Sequence, residues 1–466
     1  MSIPNQFSEF ISLIKKKLRV DESFDLINRT IQISGRQACL FFIDGMVKDE
    51  VMEKLMEFFY SASDQSLQDA RTFSKQCIPY VEVDLLDDLD TITTSVLSGI
   101  LVLVVEGFEQ AISIDVRTYP QRSVEEPDQD KVLRGSRDGF VETLVMNTAL
   151  IRRRIRTPDL TVKIFSVGSL SQTDVAVCYL DTVVDHKLLD RIVQKIKTVQ
   201  VEALTMNQQS LVEAIYPRRW YNPFPKFKYS ERPDSTASSI LEGNIVLLVD
   251  NSPSAVIIPT SIFDIVEEAD DYYFPPITGT YLRLSRYAVT IATLFLTPLW
   301  LLALQNPDFV PPFLSFILIE DPVNIPVFWQ LLILELAIDG LRLASMNTPS
   351  VLSTSLSVIA GIVLSDFAVK SGWFSTEAML YMAFVAIANY SQPSYELGYA
   401  LKFMRILLLI LTVLLNLWGF LIGCIIVILM IACNRTISGK SYLYPLIPFR
   451  GKEFLRRFFR VRIQKS

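Results

Sequence analysis

The stretch ILLLILTVLLNLWGFLIGCIIVILMIA occupies residues 406–432 and contains no charged side chain. A membrane-spanning helix needs roughly 20 apolar residues, so this stretch predicts a helix in a bilayer. It is too short for two full spans and predicts one tilted helix. Further apolar runs precede it at residues 287–304, 323–338, 351–369 and 378–390. We expect a polytopic domain of about four spans plus re-entrant segments, which survive at membrane depth only where protein or water surrounds them.

Charge divides the chain. The formal net charge is -6, and the charged residues concentrate before residue 287 and after residue 433. The tail that follows the last apolar run is strongly basic, which predicts attachment to anionic lipid headgroups rather than to nucleic acid. Basic flanks stay in the cytosol, so both termini are expected on that side. The N-terminus has no apolar run of the signal-peptide type, so the first half should also be cytosolic.

The first half contains an internal repeat. ACLFFIDGMVKDEVMEKLM (38–56) parallels VAVCYLDTVVDHKLLDRIV (175–193), and LSGILVLVVEGFEQAISI (97–114) parallels LEGNIVLLVDNSPSAVII (241–258). The first pair reads as a strand ending at an aspartate and followed by a helix, and the second pair reads as a hairpin. The apolar runs are nearly continuous, which predicts strands covered by helices on both faces. We therefore expect two related α/β lobes.

The predicted fold class is α/β plus all-α membrane: a cytosolic region of two related α/β lobes followed by a polytopic transmembrane helical domain. The predicted segments are an N-terminal amphipathic segment (1–23), lobe 1 (24–134), a linking helix (135–160), lobe 2 (161–262), a connector (263–286), the transmembrane helical domain (287–433) and a basic cytosolic tail (434–466).

Residues typical of catalytic or metal sites are sparse. The five cysteines have no CxxC spacing, and there is a single histidine. No glycine-rich phosphate loop, HExxH or GxSxG motif occurs. We expect no enzymatic activity, no catalytic residue, no bound metal and no cofactor.

Four arginines end the predicted linking helix: Arg152, Arg153, Arg154 and Arg156. Such a run suggests binding to the phosphates of RNA or of lipid, and as interfacial basic residues these arginines would face lipid. It equally suits a helix C-terminus, where cations meet the negative end of the helix dipole.

Polar residues within the apolar half are the main functional signal, because ionisable groups at membrane depth mark ion pathways. Glu335, Asp339 and Arg342 share one helical face, which predicts either a helix end at the interface, with Asp339 and Arg342 paired or snorkelling, or a pore lining. Asp366 fits an interfacial pair or a pore role, and Asn389 lies at a polar break.

Glycines in the same half predict close helix approach. They are Gly340, Gly361, Gly419 and Gly423.

Several long strings resemble the A subunits of the spore germinant receptors of endospore-forming bacteria, the GerA family. They include GSRDGFVETLVMNTALIRRRIRTPDL (135–160), YSERPDSTASSILEGNIVLLVDNSPSAVIIPT (229–260), LELAIDGLR (334–342), NYSQPSYELGYALKFMRI (389–406) and YLYPLIPF (442–449). They occur in the family's order over more than half of the chain.

The resemblance implies a multi-pass protein of the spore inner membrane that acts in germination. It implies a homo-oligomeric ring, such as a pentamer, around a gated pore that releases monovalent cations such as potassium. A small membrane partner and germinant receptor subunits are implied partners. The hypothesised pore or gate residues are Glu335, Asp339, Asp366 and Asn389.

Two alternatives remain open from the residues alone. One is a non-conducting scaffold or signal transducer in the same membrane. The other is a secondary transporter, which ranks lower because no inverted repeat is visible in the apolar runs.

Overall fold

The computed structural model describes residues 7–117, 132, 135–216, 221–319, 324–347, 368–434, 436–439 and 441–459. The chain divides into two compact units. The first consists of Met1–Arg218 and Phe227–Pro259, and the second of Arg219–Lys226 and Thr260–Ser466. Both sheets lie in the first unit, and the described part of the second is helical.

The first lobe, residues 7–117, is a five-stranded antiparallel sheet in the order β1-β2-β4-β5-β3, with helices on both faces. Its elements are α1 (Phe7–Leu18), β1 (Leu26–Ile33), β2 (Arg36–Ile43), α2 (Asp49–Ser61), a 3₁₀ turn (Asp64–Leu67), α3 (Ala70–Cys77), β3 (Val83–Leu86), α4 (Leu89–Leu97), β4 (Leu101–Val105) and β5 (Ala111–Ile114).

The second lobe, residues 135–216 and 227–259, repeats that order as β6-β7-β9-β10-β8, again antiparallel throughout. Its elements are α5 (Leu144–Arg154), β6 (Leu160–Val167), β7 (Thr173–Leu180), α6 (His186–Thr198), α7 (Asn207–Ile215), β8 (Lys228–Ser230), α8 (Pro233–Leu241), β9 (Ile245–Val249) and β10 (Ala255–Ile258).

The sheets are buried on both faces, as their continuous apolar strands predict. In β4 the alternate residues Val102 and Val104 pack toward α1 and α4, whereas Leu101, Leu103 and Val105 pack toward α2 and α3. Side chains alternate across a strand, so one apolar run serves two layers. The predicted pair of related α/β lobes is confirmed.

The repeat also includes the first helix of each lobe. The starts of α1 and α5 are separated by the same number of residues as the starts of α2 and α6. In α1 the residues Phe10, Ile11, Ile14 and Leu18 are buried against the sheet. The segments predicted as an N-terminal amphipathic piece and a linking helix are thus equivalent parts of the two lobes.

The second unit contains α9 (Ile262–Val266), α10 (Asp270–Tyr273), α11 (Pro276–Gln305), 3₁₀ turns (Pro307–Phe309 and Pro312–Ile317), α12 (Val327–Asn347), α13 (Ala368–Lys370), α14 (Thr376–Tyr390), α15 (Tyr395–Ala432) and α16 (Gly451–Phe458). Within the described residues, α11 and α15 are long and apolar enough to cross a membrane by length and composition. The larger number of spans stays a prediction.

Helix α15 is interrupted at Asn416, whose φ of 54° and ψ of -132° are not helical. In a continuous helix Leu408 and Gly423 would lie about 22 Å apart along the axis. Instead, a methyl group on Gly423 would lie 2.6 Å from the Leu408 Cδ2, and one on Gly419 would overlap the carbonyl oxygen of Leu411. The chain therefore folds back at Asn416, and the single tilted helix predicted for this stretch is wrong.

The result is a helical hairpin with a first arm (395–415), a second arm (417–432) and a closed end at Asn416. At the closed end the side-chain amides of Asn306, just after α11, and Asn416 exchange hydrogen bonds of 2.6 and 3.0 Å. At the open end, Thr290 of α11 donates to Gln392, just before the first arm, at 3.0 Å. Helix α11 therefore runs along the hairpin from its open end to its closed end.

Candidate functional site

Four ionisable side chains meet inside the second unit: Glu335 and Asp339 from α12, and Lys402 and Arg405 from the first arm of α15. We call them the four-charge cluster. Residues three or four apart share a helix face, so each helix presents its pair to the other. The relative exposures are 4% for Glu335, 5% for Lys402 and 1% for Arg405. These charges are thus removed from solvent among largely apolar helices.

Arg405 and Glu335 form the inner pair. The Glu335 Oε1 accepts from Arg405 Nε at 2.6 Å and lies 2.5 Å from Nη2. The third guanidinium nitrogen donates to the carbonyl oxygen of Thr293 in α11 at 2.6 Å. This arginine therefore joins three apolar helices. Burial of a charge is tolerated only when its partners satisfy it, as they do here.

Lys402 and Asp339 form the outer pair. The Lys402 ammonium pairs with the Asp339 carboxylate, and it also donates to the Glu335 carbonyl oxygen at 3.2 Å. Its distance to the Glu335 Oε2 is 3.5 Å. Glu335 and Asp339, two of the three acidic residues hypothesised as pore or gate residues, therefore each carry a basic partner in this conformation.

Asp339 pairs with Lys402 and not with Arg342, so of the two options predicted for Asp339 and Arg342, pairing or snorkelling, the pairing is wrong. The Arg342 guanidinium lies over the rings of Tyr395, Tyr399 and Tyr390, at 4.5, 4.9 and 5.8 Å from the ring centroids. The shared face of Glu335, Asp339 and Arg342 is nevertheless real, since all three side chains face the first arm of α15.

The other two predicted gate residues lie apart from the cluster or outside the described residues. Asn389 is the penultimate residue of α14, and its Oδ1 is buried with no hydrogen-bond partner among the described residues. A methyl group on Gly398 would approach that oxygen to 3.0 Å, so Asn389 packs tightly on the start of the first arm. Asp366 lies outside the described residues.

Arg152 is buried between the two lobes, with 0% exposure. Its Nε and Nη2 donate to the two carboxylate oxygens of Asp25 at 2.7 and 3.1 Å, and Nη1 and Nη2 donate to the carbonyl oxygens of Thr157 and Leu160. The lipid-facing reading of Arg152 is therefore wrong, because every face of its guanidinium is occupied by protein.

The neighbouring arginines differ from one another. Arg154 pairs with Asp138 at 2.5 Å and donates to Ser136 at 3.2 Å. Burial opposes ionisation of Asp138, but hydrogen bonds from Arg154 and Ser136 outweigh it and hold the pKa of this carboxyl below its usual value. Arg153 is half-buried and Arg156 is exposed. Arg152 and Arg154 thus match the prediction of an ion-paired helix end.

Lys402 and Arg405 are functional-site candidates that sequence reasoning missed. They precede the uncharged stretch that begins at residue 406, so they were excluded from the apolar helix. A usable signal was present: two cations three residues apart in one helix, and the carboxylates of Glu335 and Asp339 four residues apart in another.

A metal centre finds no support in the described part of the chain, where no group of three His, Cys, Asp or Glu side chains is placed to hold a metal ion. The chemistry that the four-charge cluster offers is electrostatic, because its two carboxylates and two cations can exchange partners with each other or with a mobile ion.

Comparison with known proteins matches residues 12–466 to the family model described as Bacillus/Clostridium GerA spore germination protein. Stage V sporulation protein AF of Bacillus subtilis is 37% identical over 94% of this chain and 89% of its own length. The uncharacterized membrane protein YfkQ of the same organism is 28% identical over 91% of this chain and 84% of its own length. Spore germination protein KA of Bacillus subtilis is 25% identical over 97% of this chain and 84% of its own length.

Among solved structures, the N-terminal domain of the A subunit of the Bacillus megaterium spore germinant receptor GerK3 aligns with a TM-score of 0.42 and 24% identity, covering 55% of this chain and 96% of that chain. The resemblance carried by the sequence strings is borne out by the family match, which spans nearly the whole chain. This chain belongs to the GerA family of spore germination proteins.

Proposed function

We propose that this spore germination protein forms, or contributes to, a gated oligomeric channel that releases monovalent cations such as potassium. The four-charge cluster is the observation that carries the proposal. Ionisable groups among apolar helices are costly and typically mark ion pathways. A purely structural bundle could fill the same positions with apolar side chains at no loss of stability.

In this proposal the described conformation is the closed one. Glu335 is held by Arg405 and Lys402, so its carboxylate has no free edge for a cation. Opening separates α12 from the first arm of α15, exposing a carboxylate to the permeating ion. A signal that binds the open state more tightly than the closed state would drive this change.

The same proposal includes the setting. The chain acts in the spore inner membrane as a multi-pass protein with both termini on the cytosolic side, and it is not an enzyme. It assembles with copies of itself in a ring, together with germinant receptor subunits or a small membrane partner. Closed rings with one repeated interface are the usual form of such assemblies.

The test is potassium release from liposomes that contain the purified protein, alone and with germinant receptor subunits. We expect release from the wild type and a fall of about tenfold or more for Glu335→Gln, because removing one charge changes the energy of a nearby monovalent cation by about 1–4 kcal/mol at an effective dielectric of roughly 20. Glu377→Gln, in the first turn of α14, is the matched control and should conduct as the wild type does.

Two results would contradict the proposal in different ways. Equal release by folded Glu335→Gln and wild type would remove the four-charge cluster from the ion path. Tight liposomes under every condition, with folded oligomers present, would favour the alternative of a non-conducting scaffold or signal transducer.

A further inference from the structure

Within the described part of the chain, Arg342 is held by aromatic rings rather than by a carboxylate. Its guanidinium stacks against Tyr395 and Tyr399 in the first turns of the hairpin's first arm, and more distantly against Tyr390 at the end of α14. Stacking of this kind fixes the plane of the guanidinium and leaves its N–H groups pointing outward along the edge. We refer to Arg342 and these three tyrosines as the tyrosine cage.

Among the described residues, the charges around the tyrosine cage do not balance. The four-charge cluster is neutral, because Lys402 and Arg405 are matched by Glu335 and Asp339. Arg342 adds one positive charge, and no carboxylate or other acceptor among the described residues bonds to its guanidinium. A cation beside largely apolar helices favours a counter-ion, since the low local dielectric strengthens every ionic interaction.

Outside the four-charge cluster, the acidic residue nearest in sequence to the tyrosines of the cage is Glu396, in the first turn of the first arm of α15. Its charge acts on Tyr442: burial first, and the negative charge of Glu396 second, raise the pKa of that phenol. Glu396 therefore lies close enough to Tyr442 for its charge to act there. The tyrosine cage is also open, since Tyr390 and Tyr395 are 48% and 58% exposed and Arg342 is not buried.

We propose that the tyrosine cage binds a phosphate group, with Arg342 as the ligand to the phosphate oxygens. A planar guanidinium presents two parallel N–H groups that match two oxygens of one phosphate. The amphipathic tyrosines and the start of a long helix favour an anion at the same place, because tyrosine suits a membrane interface and a helix N-terminus carries partial positive charge. The phosphate belongs either to a lipid headgroup or to a free phosphate in solution.

The experiment is a binding titration of the purified full-length protein in neutral detergent with three probes. The probes are a short-chain phosphatidylglycerol, inorganic phosphate, and the uncharged diacylglycerol with the same chains. We expect phosphatidylglycerol to bind more tightly than the diacylglycerol and Arg342→Gln to weaken its binding about tenfold or more, as loss of a charge-assisted hydrogen bond predicts.

The matched control is Lys195→Gln, in α6 and outside the basic tail. Lys195 also lies over a tyrosine ring, that of Tyr216 at 5.1 Å, but its ammonium donates to the carbonyl oxygen of Ile215 at 2.9 Å. We expect this variant to bind phosphatidylglycerol as the wild type does. A photoactivatable phosphatidylglycerol should place its adducts near Tyr395 or Tyr399 in the wild type and not in Arg342→Gln.

Each outcome decides the proposal. Tight inorganic phosphate binding that is lost in Arg342→Gln supports the tyrosine cage and identifies a free phosphate as its ligand. Equal binding of every probe by wild type and Arg342→Gln, or no phosphate-dependent binding at all, overturns it. If Arg342→Gln does not fold, Arg342→Lys replaces it, because lysine keeps the positive charge but lacks the two parallel N–H groups of the guanidinium. We expect Arg342→Lys to bind phosphatidylglycerol several-fold more weakly than the wild type. Binding equal to that of the wild type overturns the site.

Discussion

Arg152 shows how one side chain joins the two lobes. It lies 127 residues after Asp25 in sequence, and their side chains form a two-point ion pair with no exposed surface. Ser23 supports the pair by donating to Asp25 at 2.6 Å and accepting from the backbone of Val162 at 3.0 Å. Phe24 donates to the Val162 carbonyl oxygen at 2.8 Å, so backbone bonds join the lobes at the same place.

Removal of this arginine should destabilise the first unit. Arg152→Met leaves Asp25 as a buried, unpaired carboxylate, so we expect the free energy of unfolding to fall by about 3–5 kcal/mol. Proteolysis of the full-length protein in increasing urea measures the change. Arg29→Met, on an exposed arginine of β1, should stay within about 0.5 kcal/mol of wild type.

A double variant tests the cause. Arg152→Met combined with Asp25→Leu removes both charges and should recover most of the lost stability, because an apolar pair of similar volume can replace a buried ion pair. A double variant no more stable than Arg152→Met alone would show that packing, rather than the unpaired charge, sets the cost.

Single residues also mark the limit of sequence reasoning. The four arginines at the end of α5 look alike in sequence, and only contact with a distant aspartate makes Arg152 an interior residue. Two of the four charges in the cluster, Glu335 and Asp339, could be predicted as site residues from the sequence. Their basic partners lie more than 60 residues away in sequence. Helix periodicity relates residues within one helix and gives no information on pairs so far apart.

At the scale of elements, the fold-back of α15 depends on close contact between the two arms of the helical hairpin. Hydropathy measures only that residues 406–432 are apolar, and both a straight helix and a hairpin satisfy that requirement. The informative residues were Gly419 and Gly423, which were predicted to allow close helix approach and do so. Their partners proved to be in the same apolar stretch rather than in another helix.

Gly419→Ala should disrupt the hairpin. The added methyl group would overlap the Leu411 carbonyl oxygen, and backbone cannot rotate away as a side chain can. We expect a loss at or above the ~1–3 kcal/mol typical of overpacking. Thermal unfolding in detergent measures it.

The chain supplies a matched control within α12. Apart from the glycine's own chain neighbours and helix backbone, no atom of the described residues lies within 4 Å of a methyl group added to Gly340. Gly340→Ala should therefore be neutral or stabilising by up to about 1 kcal/mol, since alanine favours helix over glycine. Equal stability of both variants would argue against the hairpin.

At the scale of the molecule, duplication governs the first unit. Two lobes with the same strand order and the same helix placement could be predicted from sequence because strand and helix patterns are local and recur in both copies. The equivalence of α1 and α5 was not predicted, because their sequences diverge: α1 ends in lysines, whereas α5 ends in the arginines that serve the contact between lobes.

Each lobe carries a buried thiol whose reactivity shows whether the lobe is folded. Burial raises the pKa of Cys39 in β2 and of Cys178 in β7, so at pH 8 a smaller fraction is the reactive thiolate than for a free cysteine. We expect both to resist maleimide in the native protein and to react once their lobe unfolds. Cys77, half-buried on α3, is the control that should react first, and mass spectrometry of peptides measures all three.

The fold-back at Asn416 also determines sidedness. Tyr442, beyond the second arm, packs in one apolar cluster with Leu397 and Leu401 of the first arm. Tyr442 therefore lies at the same end of the unit as the start of α11. In the proposed membrane setting, we therefore expect an impermeant reagent to reach Tyr442 and the start of α11 from the same compartment.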